Sequence, residues 1–241
     1  MRSAVTSLNI EKDSKRFLIL LILADAGFIL VHLLHVHTRF FSGPLFSIQR
    51  DWGYAEVFQY LKEFWIVVLL IVLAIRRANF LYLAWSLLFL YLLVDDSLRI
   101  HERLGGLIVS RFDIHSGFGL RGQDFGELMV SSFFGTLLFL FIAAMHHVSD
   151  FSDKRISKSL FIMIALLVLF GVIIDMVDIL FQQLMATSVF GIIEDGGEMV
   201  VMSAITSFAF RLHSSHEEIP DLSKKTDQPR KSVPVEMSVP S

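Results

Sequence analysis

Six long stretches of mainly apolar residues alternate with shorter polar ones: Phe17–His35, Phe58–Ile75, Phe80–Val94, Leu128–Met145, Leu160–Leu180 and Val189–Phe210. A helix needs roughly 17–25 such residues to cross the ~30 Å hydrocarbon core of a bilayer. Each stretch therefore predicts a membrane-spanning helix, and the third reaches that length only if its acidic end, Asp95-Asp96, stays inside the bundle. None of the five prolines (Pro44, Pro220, Pro229, Pro234, Pro240) interrupts a stretch, so unbroken helices are expected. The pattern predicts an all-α integral membrane protein, a six-transmembrane-helix bundle. The first stretch has the basic lead of a signal peptide, but no small-residue cleavage site comes after it. Asp25 and His32 also interrupt its apolar run, so it reads as a retained anchor helix.

Composition agrees. The 241 residues are 54% hydrophobic and include 23 Phe, with a mean hydropathy of +0.62. That is more apolar surface than one water-facing globule can bury. A net charge of −3 without a dominant basic patch gives no footing for nucleic acid. The absence of cysteine excludes disulfides, thiolate metal sites and a cysteine nucleophile.

Lys and Arg are distributed unevenly about the six stretches. Fourteen flank them on the side shared by the N-terminus, the turn at 76–79, the link at 148–158 and the tail from Arg211; six lie on the opposite side. Positive-inside bias then places both termini in the cytoplasm. Residues 1–16 are expected as a cytoplasmic N-terminal segment and 17–212 as the six-helix domain. Residues 213–241, rich in Pro, Ser and Lys, are expected as a disordered cytoplasmic tail. Leu98–Phe112 reads as an interfacial helix broken at Gly105-Gly106, and 112–123 as a Gly-rich loop.

Drawn on this topology, the ionisable residues gather near the non-cytoplasmic side. Eleven carboxylates fall in one slab: Glu56, Glu63, Asp95, Asp96, Glu102, Glu127, Asp175, Asp178, Glu194, Asp195 and Glu198. The cations at that depth are chiefly Lys62, Arg99 and Arg103, and the inner halves are apolar apart from Asp25. Spacing concentrates the groups further. Asp25, His32 and His35 share one helical stripe, as do Glu56, Gln59 and Glu63; Asp95, Arg99 and Glu102 share one if the third helix continues past the membrane edge. An ionised carboxylate at the bilayer centre costs about 2.5–3.5 kcal/mol on insertion scales. Three cations cannot neutralise eleven acids, so protonation or bound cations must supply the balance. Gly196-Gly197, between Asp195 and Glu198, allows close helix packing and leaves room for an ion.

Carboxylate and imidazole without thiolate suit Fe, Mn or Zn, and helix bundles build such sites from several helices. The candidate divalent-metal ligands are Glu63, Asp95, Asp96, His101, Glu102, Asp178, Glu194 and Glu198, with His32, His35, Glu56, Glu127, Asp175 and Asp195 as secondary candidates. The competing reading of Asp95–Glu102 is a solvated acid–arginine ladder at the membrane edge. For His32 and His35 it is a mark of the water interface, and for Glu127 it is helix-dipole stabilisation. No Glu-x-x-His lies in a span, and no Gly-x-Ser-x-Gly or phosphate loop occurs. Gly117–Gly122 has the Gly-x-Gly-x-x-Gly spacing, but no strand precedes it, so it is not read as a dinucleotide fingerprint.

The runs Asp95-Asp96-Ser97-Leu98-Arg99-Ile100-His101-Glu102 and Glu194-Asp195-Gly196-Gly197-Glu198-Met199, with Gly53–Glu56 and Lys62-Glu63, resemble an uncharacterised family of bacterial multi-span membrane proteins. The resemblance implies a family, placed in a bacterial inner membrane, and no activity. The expectation is a metal-binding membrane protein that acts on a lipid-like substrate if it is an enzyme. The alternatives are a cation or proton transporter or channel, or an accessory subunit. Membrane lipid is the expected partner, together with self-association or a membrane partner subunit.

Overall fold

Where the structure describes them, the apolar stretches fold as helices. The computed structural model describes residues 2–38, 40–117, 120–177 and 189–217. Its helices are α1 (Arg2–His37), α2 (Tyr54–Arg77), α3 (Phe80–Leu98), α4 (Ile100–Phe112), α5 (Gly122–Val148), α6 (Phe151–Val168) and α7 (Val189–Glu217). A 3-10 turn forms at Pro44–Phe46, and α6 is prolonged by a π-helical stretch, Leu169–Ile174. No strand is present among the described residues. Five helical segments are long and apolar enough to cross a membrane: Ile10–His37, Tyr54–Arg77, Phe80–Leu98, Gly122–Val148 and Phe151–Val177. The sixth expected span falls within α7, a 29-residue helix whose first turns hold Glu194, Asp195 and Glu198. The expected tail begins at 213, but 213–217 continue α7; Asp178 and residues 218–241 lie outside the described residues.

Local chemistry sets the helix ends. Ala78 closes α2 in the left-handed region (φ 47°), and the Asn79 side chain accepts from Leu81 N at 2.9 Å to open α3. Asp124, in the first turn of α5, accepts from Arg121 N at 2.7 Å and from Arg121 Nη2 at 2.7 Å. The dipole role expected of Glu127 is thus filled by Asp124, one turn earlier.

The third helix ends at Leu98, where Arg99 takes a left-handed conformation (φ 53°) and turns the chain into the separate helix α4, so Asp95, Arg99 and Glu102 do not share one helical face. One expectation at the α3–α4 region is corrected. Gly105-Gly106 does not break α4, which runs unbroken to Phe112. The glycine instead allows helix contact: a Cβ on Gly105 would lie 2.7 Å from Glu127 N, and one on Gly126 would lie 2.5 Å from Gly105 O. With so little room between backbones, α4 and α5 form a tight antiparallel hairpin.

The core lies between α2, α3, α6 and α7, where Ile66, Leu70, Trp85, Phe89, Leu160 and Ile205 are fully enclosed. At one end of the bundle Asp153 accepts from Arg77 Nη1, Tyr82 Oη and Asn79 Nδ2, each at 2.6 Å, tying α6 to the α2–α3 turn. Trp85 Nε1 adds a bond to Ser157 Oγ at 3.0 Å.

Between α1, α2 and α7 the packing turns ionic. Lys62 Nζ donates to Asp25 Oδ1 at 3.1 Å, Met199 O at 2.9 Å and Ser203 Oγ at 3.3 Å, while Ser203 Oγ donates to Asp25 Oδ2 at 2.5 Å. Lys62 and Asp25 are both fully buried, and Lys62 Nζ also stands 5.0 Å from the Phe58 ring centroid. Lys62 therefore does not serve the acidic slab, although its place in the sequence suggests that it should.

Removing one partner of such a pair leaves the other charged and buried, at a cost of about 3–5 kcal/mol. Lys62→Met is expected to lose that much stability against chemical unfolding in detergent. The double variant Asp25→Leu, Lys62→Met should recover most of the loss. Losses in the double variant as large as the two single losses added would show that the two residues act separately.

Candidate functional site

The end of the bundle opposite the Asp153 network holds a cavity of about 440 Å³, into which acidic residues of six helices converge. From α2 come Glu56, Gln59 and Glu63, the stripe expected from their spacing; α3 adds Asp95 and Asp96. Glu102 and His101 enter from α4, Glu127 from α5, Asp175 from the end of α6, and Asp195 and Glu198 from α7. Asp51 stands at the mouth with Arg50. The far wall is apolar, formed by Leu88, Phe139, Ile164 and Met202. Glu194 is half-buried and does not line the cavity.

His32 and His35 are also placed elsewhere. His32 is buried, and its Nδ1 accepts from Ile48 N at 3.3 Å and lies 3.3 Å from Ser47 Oγ. His35 Nδ1 lies 2.5 Å from Phe41 O. These rings anchor the segment joining α1 to α2, which carries Asp51 to the cavity mouth.

Glu198 owes its place to glycine. The carboxylate of Glu198 lies directly over Gly171, in the π-helical stretch, where a Cβ would collide with it. A Cβ on Gly197 would likewise strike the Phe170 ring, so Gly196-Gly197 is a packing surface that also admits the acid beside it. Sequence reading misses Gly171 because it stands inside an uninterrupted apolar run. Its only signal is a lone glycine opposite an acidic helix.

The balance of charge is one-sided. Arg99 donates through Nε to Glu102 Oε1 at 2.7 Å, pairs Nη2 with Glu102 Oε2, and reaches Asp51 Oδ2 at 3.2 Å. Arg103 is exposed on α4 and does not line the cavity. Part of the expected acid–arginine ladder therefore exists at the mouth and leaves the deeper acids aside. Glu63 and Asp96 face the same cavity from α2 and α3, with no cation of α2 or α3 between them. Glu63 Oε2 and Gln59 Oε1 are buried and have no hydrogen-bond partner. No group of three or more His, Cys, Asp or Glu side chains among the described residues is already drawn together in metal-binding geometry.

At the α3–α4 break Asp95 accepts from His101 N at 2.8 Å, and its other oxygen lies 3.0 Å from His101 Nδ1. The acid thus satisfies an unpaired first-turn amide of α4 and fixes the imidazole. Nδ1 is committed to Asp95, which leaves Nε2 for anything the cavity holds.

Residues 16–212 match the model of a domain of unknown function, DUF8692, which covers every helix described above except the start of α1 and the end of α7. The chain belongs to that family. No curated protein and no solved structure matches it.

The hydrogen bond to Asp95 raises the His101 pKa above the ordinary 6.5, against desolvation that would lower it. A raised folded-state value stabilises the fold fully below about pH 6.5 and is lost as pH rises through the raised value. The thermal stability of the wild-type protein is therefore expected to fall with rising pH in that window more than that of His101→Gln. Parallel curves would remove the His101–Asp95 ion pair from the account.

Proposed function

We propose that this cavity binds a divalent metal ion, with Glu63, Asp96 and Glu198 as ligands and Gln59 beside them. The protein would then be a six-span protein of the bacterial inner membrane with both termini cytoplasmic, the cavity opening near the outer face. The observation that carries this reading is the pair of buried acceptors without donors, Glu63 Oε2 and Gln59 Oε1, facing a cavity in which Arg99 is already paired with Asp51 and Glu102. A buried acceptor that finds neither proton nor cation costs about 1–3 kcal/mol, more when charged. One cation would relieve both atoms at once. Carboxylate oxygen with an amide carbonyl and a nearby imidazole suits Mn, Fe or Zn. Such an ion would polarise a carbonyl or phosphoryl oxygen and activate water, the chemistry of metal-assisted hydrolysis or oxidation of a lipid-like substrate.

A cation or proton transporter is less well supported. The wall of the cavity nearest the centre of the bundle is apolar, and the one deep carboxylate, Asp25, is closed off by Lys62 and Ser203. A conducting path would need polar groups continuing past that point.

Purified without chelator, the protein should contain about one or two equivalents of Fe, Mn or Zn by plasma mass spectrometry, as carboxylate-bridged helix bundles do. The isosteric double variant Glu63→Gln, Glu198→Gln should lose it while keeping its elution profile. Absence of metal from both proteins, with equal stability, would overturn the reading and leave protonated acids or a partner subunit's basic residues as the compensation. The topology has its own check: alkaline phosphatase fused after Ser241 should be inactive, and activity would place that end outside.

A further inference from the structure

We infer that the groove between α4 and α5 seats one anionic phospholipid, with its phosphate at Arg111 and an acyl chain running down α5. This deepens the metal reading by naming the substrate class, and rests on it only for the chemistry of a lipid that has reached the carboxylates.

The groove is separate from the carboxylate cavity and encloses about 1470 Å³. One wall is a single stripe of α4: Leu104, Leu107, Ile108, Arg111 and Phe112 recur at i, i+3, i+4, i+7 and i+8. The stripe is apolar until its end, where Arg111 and Ser110 form a polar cap. The other wall is α5 from Phe125 to Leu140, about 22 Å at 1.5 Å per residue. One leaflet of hydrocarbon is about 15 Å deep, so the groove is long enough for an extended acyl chain.

Its polarity runs in the right sense. Gly105 on α4 packs against Gly126 on α5, and Val109 against Gly122, so α4 leads away from the membrane interior as α5 leads into it. Arg111 consequently lies at the interfacial end, and Leu137 and Leu140 at the deep end. A basic head with an apolar shaft below it complements a phosphate ester with a chain; a helix of a partner protein would not require Arg111 at one end. Leu128 lines both the groove and the carboxylate cavity, so the two are neighbours across a single side chain. A lipid seated with its phosphate at Arg111 holds its ester groups within reach of that passage.

The test uses the full chain reconstituted in mixed phosphatidylcholine and phosphatidylglycerol vesicles, then extracted and read by native mass spectrometry, with metal content measured in parallel. Wild type should retain one phosphatidylglycerol per monomer. Arg111→Glu should reduce retention at least about fivefold, since one basic residue near an anionic lipid contributes roughly 1 kcal/mol. Leu137→Trp, at an exposed position that tolerates bulk, should reduce it by filling the groove. Both variants should keep the wild-type metal content. Retention unchanged in both variants, no retained lipid, or a dimer without lipid would each overturn the seat. Loss of metal from the Glu63→Gln, Glu198→Gln protein with lipid retained leaves the seat standing. A metal-free wild type that still holds lipid would sink only the metal reading.

Discussion

The buried pair between Lys62 and Asp25 fixes the arrangement on which the cavity depends. Consecutive residues on a helix point about 100° apart, so placing Lys62 between α1 and α7 determines where Glu63 must face. With α2 held in that rotation, Glu56, Gln59 and Glu63 share the adjoining face, turned to the cavity. An apolar contact could have supplied the same packing energy, since replacing a buried ion pair with hydrophobic residues is often neutral or better. What the pair adds is rotational definition, because Lys62 Nζ must meet Asp25, Met199 O and Ser203 Oγ together. The pair also withdraws the nearest cation from Glu63 and so produces the imbalance of charge.

Close backbone approach then sets the cavity's dimensions. Gly105 against Gly126 draws α4 onto α5 and brings Glu102 and Glu127 to one wall. Gly171 does the same for Glu198 from the other side, within a π-helical stretch that displaces the helix locally. Short π segments inside α-helices often mark functional positions because the extra residue per turn re-aims side chains. Here that re-aiming carries Asp175 and Met176 to the cavity wall below the stretch.

Much of this is legible in the sequence, for definable reasons. Runs of apolar residues identify helices because the bilayer forbids other unpaired backbone, and the helical period aligns Glu56, Gln59 and Glu63 from spacing alone. What the pattern cannot reveal is three-dimensional. Arg99 in a left-handed conformation has no local signal, since arginine carries a Cβ that disfavours it. The structure over-determines it through Asp95, which binds His101 twice, and Glu102, which binds Arg99. Lys62 reads as a counter-ion for the acids because sequence neighbours look like spatial neighbours, whereas on a helix they diverge. Gly105-Gly106 reads as a break because two glycines weaken an isolated helix; packed against α5 they serve to shorten the distance.

The unbalanced acids can be met by protons or by a cation, and the geometry weighs differently on each. A proton shared by Glu63 and Asp96 would remove one negative charge and supply one donor. It leaves Glu63 Oε2 and Gln59 Oε1 still without donors, because the same proton cannot serve three acceptors. A second proton, on Glu198, removes another charge and supplies only one more donor. Each further protonation therefore supplies one donor to one acceptor at a time. A divalent ion has no such limit: several oxygens can share it, and its charge offsets two carboxylates at once. Metal should accordingly outcompete protonation as pH rises, since deprotonation multiplies the ligands available to it.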